Sequence, residues 1–191
     1  LAALEAAFAE HGDRIAGVIA EAAAANMGVL PPAPGFTAAM IEIAHRHGAL
    51  VILDEVLTGF RAGPSGYWGI EQQNVPVGVA PDLLTFGKVI GGGLPLAAVG
   101  GRRELMELLA PLGPVYQAGT LSGNPVAVAA GLTTLRHADA EAYHRLTAAA
   151  DAVRSAVREA LDRAGVAHRV RNGGTLFSVL FGEYPTAPNG Y

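Results

Sequence analysis

Ala49-Leu-Val-Ile-Leu-Asp-Glu55 is the stretch that decides the fold. Its apolar residues run without alternation and stop at two carboxylates, as expected for a strand covered on both faces in a parallel sheet. Two other stretches repeat the pattern. Arg14-Ile-Ala-Gly-Val-Ile-Ala20 ends at Glu21, and Asp82-Leu-Leu-Thr-Phe86 ends at Gly87-Lys88. Between the first two lies a loop carrying Pro31, Pro32 and Pro34, then a helix over 36–47 with Met40, Ile41 and Ala44 on one face and Gly48 as its stop. Strands alternating with helices place the chain in the α/β class.

Outward from this centre, residues 2–10 read as a short helix broken at Gly12-Asp13, and 59–81 as a Gly/Pro-rich loop. Leu94–Val99 reads as a further strand and 102–110 as a helix. A Gly-bearing loop over 114–125 opens an Ala-rich helix to about 135; a long helix over 139–164 and a strand at Thr175–Phe181 follow. The break near 136–140 divides the chain into a sheet domain, 1–136, and part of a smaller domain, 137–191.

The 191 residues are 51% hydrophobic, with a mean hydropathy of +0.32. That is enough for a core and leaves apolar surface to bury against further chain or a partner subunit. Seventeen acidic residues against thirteen basic ones give a net charge of −4, the wrong sign for a nucleic-acid partner. The absence of cysteine excludes disulfides, thiolate metal sites and thiol nucleophiles. No apolar run has membrane-spanning length, so no membrane partner is expected. The start at Leu1, without a charged region and apolar signal core, leads to the expectation of a cytoplasmic protein whose chain begins partway along a longer one.

Of the thirteen Lys and Arg residues, twelve are Arg and one is Lys88. A guanidinium supplies charge and hydrogen bonds but cannot form a Schiff base, so a lone lysine is either a leftover surface charge or a group kept for amine chemistry. Ligands of open α/β sheets sit beyond the carboxyl ends of the strands, where Glu21, Asp54 and Lys88 all fall. An amine and a carboxylate at adjacent strand ends suit pyridoxal phosphate: the lysine attaches the cofactor and relays protons, and the carboxylate keeps the pyridinium nitrogen protonated. The alternative for Asp54 is a loop cap or an ion pair with Arg61.

Three motifs carry a resemblance. Val51-Ile-Leu-Asp-Glu-Val-Leu-Thr-Gly-Phe-Arg61, Pro81-Asp-Leu-Leu-Thr-Phe-Gly-Lys-Val-Ile-Gly-Gly-Gly93 and Pro114-Val-Tyr-Gln-Ala-Gly-Thr-Leu-Ser-Gly-Asn-Pro125 resemble, in order and spacing, the class III aminotransferases of the fold type I pyridoxal-phosphate enzymes. Within these they are most similar to the aminomutases. The resemblance implies a mostly parallel sheet domain with part of a smaller carboxyl-terminal α/β domain, a homodimer with shared active sites, and pyridoxal 5'-phosphate or its pyridoxamine form as cofactor. It places the Schiff-base lysine at Lys88, the pyridinium partner at Asp54 and a ring-packing residue at Val56. It also implies a contact from Asn26 to the ring hydroxyl, and one from Thr120 to the phosphate of the neighbouring subunit. Most members carry Gln where this chain has Leu57, whereas the aminomutases carry an apolar residue there. The family often reads Glu-Pro at Glu21-Ala22 and Gly at Ala25.

The implied reaction moves the amine of a small amino-aldehyde to its neighbouring carbon. The alternatives are amine exchange between two substrates, or no activity in the chain by itself. The family's Gly/Ser-rich phosphate loop and ring-stacking aromatic are expected upstream of Leu1. Three further readings come from the residues alone: His45 and His47 cap a helix terminus, Tyr67 and Trp68 pack a loop, and Arg102 and Arg103 face solvent.

Overall fold

The computed structural model describes residues 1–182; the last part of the expected smaller domain, 183–191, lies outside the described residues. Helix α1 (Ala2–His11) leads through a 3-10 turn at Gly12–Arg14 into strand β1 (Gly17–Glu21). Helix α2 (Phe36–Arg46) and strand β2 (Leu50–Asp54) follow, then the short helix α3 (Trp68–Glu71) and strand β3 (Leu83–Phe86). Next come β4 (Ala98–Gly101), a single-turn helix α4 (Arg103–Met106), α5 (Pro125–His137) and α6 (Ala140–Arg163). The described chain closes with the strands β5 (His168–Gly173) and β6 (Leu176–Phe181).

β1, β2 and β3 pair in parallel and in sequence order, and β4 joins β3 antiparallel, so the sheet is mostly parallel as expected. Val51 and Leu53 alternate inward along β2 and are almost wholly buried. They meet Met40, Ile41, Ile43 and Ala44 of α2, with Phe8 and Trp68 completing the cluster. Each fully buried aliphatic side chain there contributes about 1.5–3 kcal/mol. The other face of the sheet differs from the two-sided burial read from the sequence: Ile19 of β1 is 65% exposed, and Ile52 is half-buried.

The strand expected at Leu94–Val99 starts later, at Ala98, and the helix expected over 102–110 is only Arg103–Met106. Beyond it the backbone of Leu109 and Val115 pairs in a bridge, which competes with continuation of the helix. Asn124 caps α5, its side-chain oxygen accepting the N–H groups of Val126 and Ala127 at 3.0 and 3.1 Å, with Pro125 in the first turn. Asp139 caps α6 in the same way. β5 and β6 form an antiparallel hairpin against which α6 packs.

At the amino end of β3, Asp82 is fully buried. Its carboxylate accepts the Val51 N–H at 2.7 Å and pairs with His45 Nε2 and the Arg102 guanidinium, both at 2.8 Å. This corrects two expectations. His45 spans to Asp82 instead of capping its helix, and Arg102 pairs with Asp82 although half of its side chain stays in solvent. Gly101 is needed beside them, because a Cβ there would lie 2.1 Å from the Asp82 carbonyl oxygen.

Candidate active site at the strand ends

The carboxyl ends of the three parallel strands lie side by side. Glu21 is opposite Asp54, and Asp54 is opposite Thr85, three residues before Lys88. After each strand one non-glycine residue adopts a left-handed backbone: Val29 (φ 47°), Phe60 (φ 56°) and Lys88 (φ 49°). Such conformations cost energy in residues with a Cβ, most of all in β-branched Val29, and they cluster where function constrains the chain.

Lys88 is exposed and opens a 3-10 turn, Lys88–Gly91, against which α5 packs. It lines a cavity of about 630 Å³ with Arg61, Val89, Leu94 and Pro95. A second cavity, of about 720 Å³, shares Pro95 and Leu96 with the first and is lined by Val56, Thr85, Gln117 and Ser122. Asp54 Oδ1 accepts the Val56 N–H at 2.8 Å. The loop cap weighed from the sequence is therefore real, and no ion pair with Arg61 accompanies it among the described residues. The cap fixes the carboxylate and leaves its second oxygen for another donor.

Thr120 is exposed in the turn before α5, and its neighbours Gly119 and Leu121 line the second cavity. Asn26 is exposed in the tight turn after β1, where Gly28 and Val29 donate their N–H groups to the Ala25 carbonyl. The structure thus brings Asp54, Val56, Thr85 and Lys88 to adjoining strand ends and cavities, with Asn26 on the β1 side and Thr120 on the α5 side.

The sequence reading missed what holds these loops. Glu55, next to Asp54, is fully buried. Its carboxylate accepts the Thr58 hydroxyl and the N–H groups of Tyr67 and Trp68, the latter two at 2.9 and 2.7 Å. It pins both ends of the loop after β2. Gly66 (φ +67°) gives it room, since a Cβ there would sit 2.6 Å from the carboxylate. No spacing in the sequence announces partners twelve residues away.

The carboxyl-terminal elements add three clamps. The Tyr143 hydroxyl donates to the Phe60 carbonyl at 2.9 Å, the Thr175 hydroxyl donates to the Arg61 carbonyl at 2.6 Å, and the Ser178 hydroxyl donates to the Gly28 carbonyl. Two of the strained turns, those after β1 and β2, are therefore tied to α6 and the β5–β6 hairpin. Burial pushes the Tyr143 phenol up, which keeps it a donor. Arg61 reaches the Lys88 cavity with its Nε buried and without a hydrogen-bond partner among the described residues, a costly arrangement.

A sequence profile described as Aminotransferase class-III matches residues 1–188. The chain is similar to glutamate-1-semialdehyde 2,1-aminomutase of Cutibacterium acnes, 59% identical over 95% of this chain and 42% of that protein. It is 57% identical to the protein of the same name from Propionibacterium freudenreichii, over 95% of this chain and 41% of the relative. Among solved structures, an omega-transaminase from Sphaerobacter thermophilus superposes with a TM-score of 0.85 at 34% identity, covering 95% of this chain and 40% of the other. A glutamate-1-semialdehyde aminomutase from Pseudomonas aeruginosa, solved in complex with PMP, superposes with a TM-score of 0.79 at 32% identity, covering 94% and 40%. The chain spans about two fifths of the length of the curated relatives it matches.

Proposed function

The chain belongs to the class-III aminotransferase family, and from that premise we propose that it carries the cofactor-attachment half of a glutamate-1-semialdehyde 2,1-aminomutase. Its reaction would be isomerisation of glutamate-1-semialdehyde to 5-aminolevulinate for tetrapyrrole synthesis. The observation that carries this reading is the placement of an amine and a carboxylate after adjacent parallel strands, Lys88 beyond Thr85 and Asp54 opposite it. The residues fit pyridoxal phosphate. Lys88 is exposed at a cavity, Asp54 keeps one carboxylate oxygen outside its cap, and Val56 lines the adjoining space.

Bound, the cofactor supplies an electron sink that stabilises negative charge on the substrate carbon. The work of this chain follows from its own groups. Lys88 would hold the cofactor through its amine and would move a proton at that amine. Asp54 would hold the ring-nitrogen proton, and Val56 would pack against the ring. Asn26 would hold the ring hydroxyl, and Thr120 would hold the phosphate of a second subunit in a cytoplasmic homodimer. The sheet unit, 1–136, carries these residues, and the smaller unit from 137 onward clamps their loops through Tyr143, Thr175 and Ser178.

Borohydride reduction of the full-length protein purified with pyridoxal phosphate, followed by peptide mass mapping, is expected to place a pyridoxyl group on Lys88. An adduct on any other lysine would overturn the assignment. A second reading, amine exchange between two substrates, is supported by the backbone likeness to the omega-transaminase. The two separate when the enzyme receives glutamate-1-semialdehyde alone. Many turnovers to 5-aminolevulinate support the mutase, whereas product that stops near one equivalent per site until an amine donor is added supports the transaminase.

A further inference from the structure

A third cavity, of about 600 Å³, opens between the loop after β1 and the β5–β6 hairpin, with Glu21, Leu30, Pro31, Phe36, Arg169 and Arg171 in its lining. It shares no lining residue with the Lys88 cavity. Arg169 and Arg171 are two apart on β5 and so project from one face of the hairpin. Both are half-buried, and neither has an ion-pair partner among the described residues. Two like charges on one face of a hairpin repel, and partial burial strengthens the repulsion unless an anion comes between them. A guanidinium presents its N–H groups as a fork that matches a carboxylate. The rest of the lining is mainly apolar, and a cavity of this size with a few convergent polar groups is how small-molecule sites are built.

We infer that Arg169 and Arg171 form an anion subsite that takes the carboxylate of a small aliphatic acid, whose hydrocarbon part lies against Leu30, Pro31 and Phe36. Glu21 limits the ligand. Its Oε2 accepts the Ala25 N–H at 3.1 Å, which holds a carboxylate in the same lining. A second negative charge on the ligand meets it, so monocarboxylates are preferred over dicarboxylates. The inference goes beyond the proposed reaction and holds whether that reaction is a mutase or a transaminase.

The test is calorimetric titration of the full-length holoenzyme with pentanoate, glutarate and pentanamide, none of which carries the amine or aldehyde that the proposed chemistry consumes. Pentanoate is expected to bind more tightly than glutarate, and pentanamide not to bind. Arg169→Gln and Arg171→Gln are each expected to weaken pentanoate binding by about tenfold or more, the scale of losing a hydrogen bond between charged groups. Borohydride-reduced enzyme, with its Lys88 cavity filled, should bind pentanoate as before. Equal affinity for pentanoate and pentanamide, parental affinity in both folded variants, or loss of binding on reduction would overturn the inference. Should the variants fail to fold, the parent decides it. Pentanoate is expected to protect Arg169 and Arg171 from an arginine-selective dicarbonyl reagent, read by mass mapping, and absence of protection overturns the subsite.

Discussion

Asp54 and Asp82 stand at opposite ends of the same sheet, one closing β2 and the other preceding β3. Asp82 is fully buried and saturated: the Val51 N–H, His45 and Arg102 take its oxygens. Asp54 is half-buried, and among the described residues its carboxylate accepts one local hydrogen bond, from the Val56 N–H. The backbone around them differs in the same sense. Among the described residues, the three left-handed non-glycine residues all follow the carboxyl ends of strands, and none lies at the Asp82 end. A carboxylate whose hydrogen-bonding capacity is filled by the protein contributes to stability. One that is held but left incomplete, among strained turns, is available to a ligand. On the proposed reading, one sheet separates the two tasks by its two ends.

The largest expected effect that probes this contrast is at Asp54. Asp54→Asn keeps the size and the cap acceptor but removes the charge that would hold the ring proton. It should lower turnover by about 3–4 kcal/mol, the scale of one lost oriented electrostatic stabiliser. Its midpoint of thermal unfolding should stay near the parental value. Single-turnover kinetics together with a melting curve check both halves, and near-parental turnover would reduce Asp54 to a loop cap.

Asp82→Ala should do the reverse. It strands the buried Val51 N–H, which costs about 1–3 kcal/mol of stability, while the chemical step of the folded enzyme is unchanged. Denaturant unfolding against kcat measures the split. The pH dependence adds a sign. Burial pushes the Asp82 carboxyl up, but the Val51 N–H, His45 and Arg102 outweigh it and hold the group below the usual carboxylate range. A depressed folded value means that this stability is fully present above the ordinary value of about 4 and is lost as the pH falls through the lower folded one. Asp82→Ala should therefore lie furthest below the parent at neutral pH and approach it in acid. A constant gap down to pH 2 would mean that the carboxylate charge contributes nothing.

How much of this was legible in the sequence follows from the range of each interaction. The strands at 49–53 and 82–86 and the helices near 36–47, 125–135 and 139–164 were visible because apolar runs, periodicity and caps act within a few residues. β5 was not read: His168-Arg-Val-Arg-Asn-Gly173 carries its apolar content in one valine, and it exists as a strand because β6 pairs with it. The helix α3 was hidden in a Gly/Pro-rich loop, since Glu55 anchors its start from far upstream. The placement of Asp54 and Lys88 at the ends of strands could be read because the apolar runs before them stop there. Glu55, Asp82 and the Tyr143, Thr175 and Ser178 clamps could not, because each acts on a partner that only the folded chain brings near.

The smallest expected effect lies at Glu71, which closes the short helix beside the Glu55 anchor. Burial pushes its carboxyl up, and the charge of Glu55 adds to this, while the Thr37 hydroxyl, donating to its two oxygens at 3.2 and 2.9 Å, opposes both. The net rise puts Glu71 opposite Asp82 in sign. A carboxyl raised in the folded state contributes stability that is complete below its ordinary value of about 4.3 and is lost as the pH climbs through the folded one. At neutral pH the charged form is therefore a small burden. Glu71→Gln removes that charge and keeps an oxygen to accept from Thr37, so it should stabilise the protein at pH 7 by less than about 1 kcal/mol, a typical size for a partly exposed substitution. The gain should shrink toward zero near pH 4, where the parental carboxyl is protonated as well. Melting curves of parent and variant from pH 4 to pH 8 are the measurement. A variant less stable than the parent at pH 7 would show that the hydrogen bond from Thr37 needs the full carboxylate charge, and Glu71 would then join Asp82 among the carboxylates that stabilise the fold.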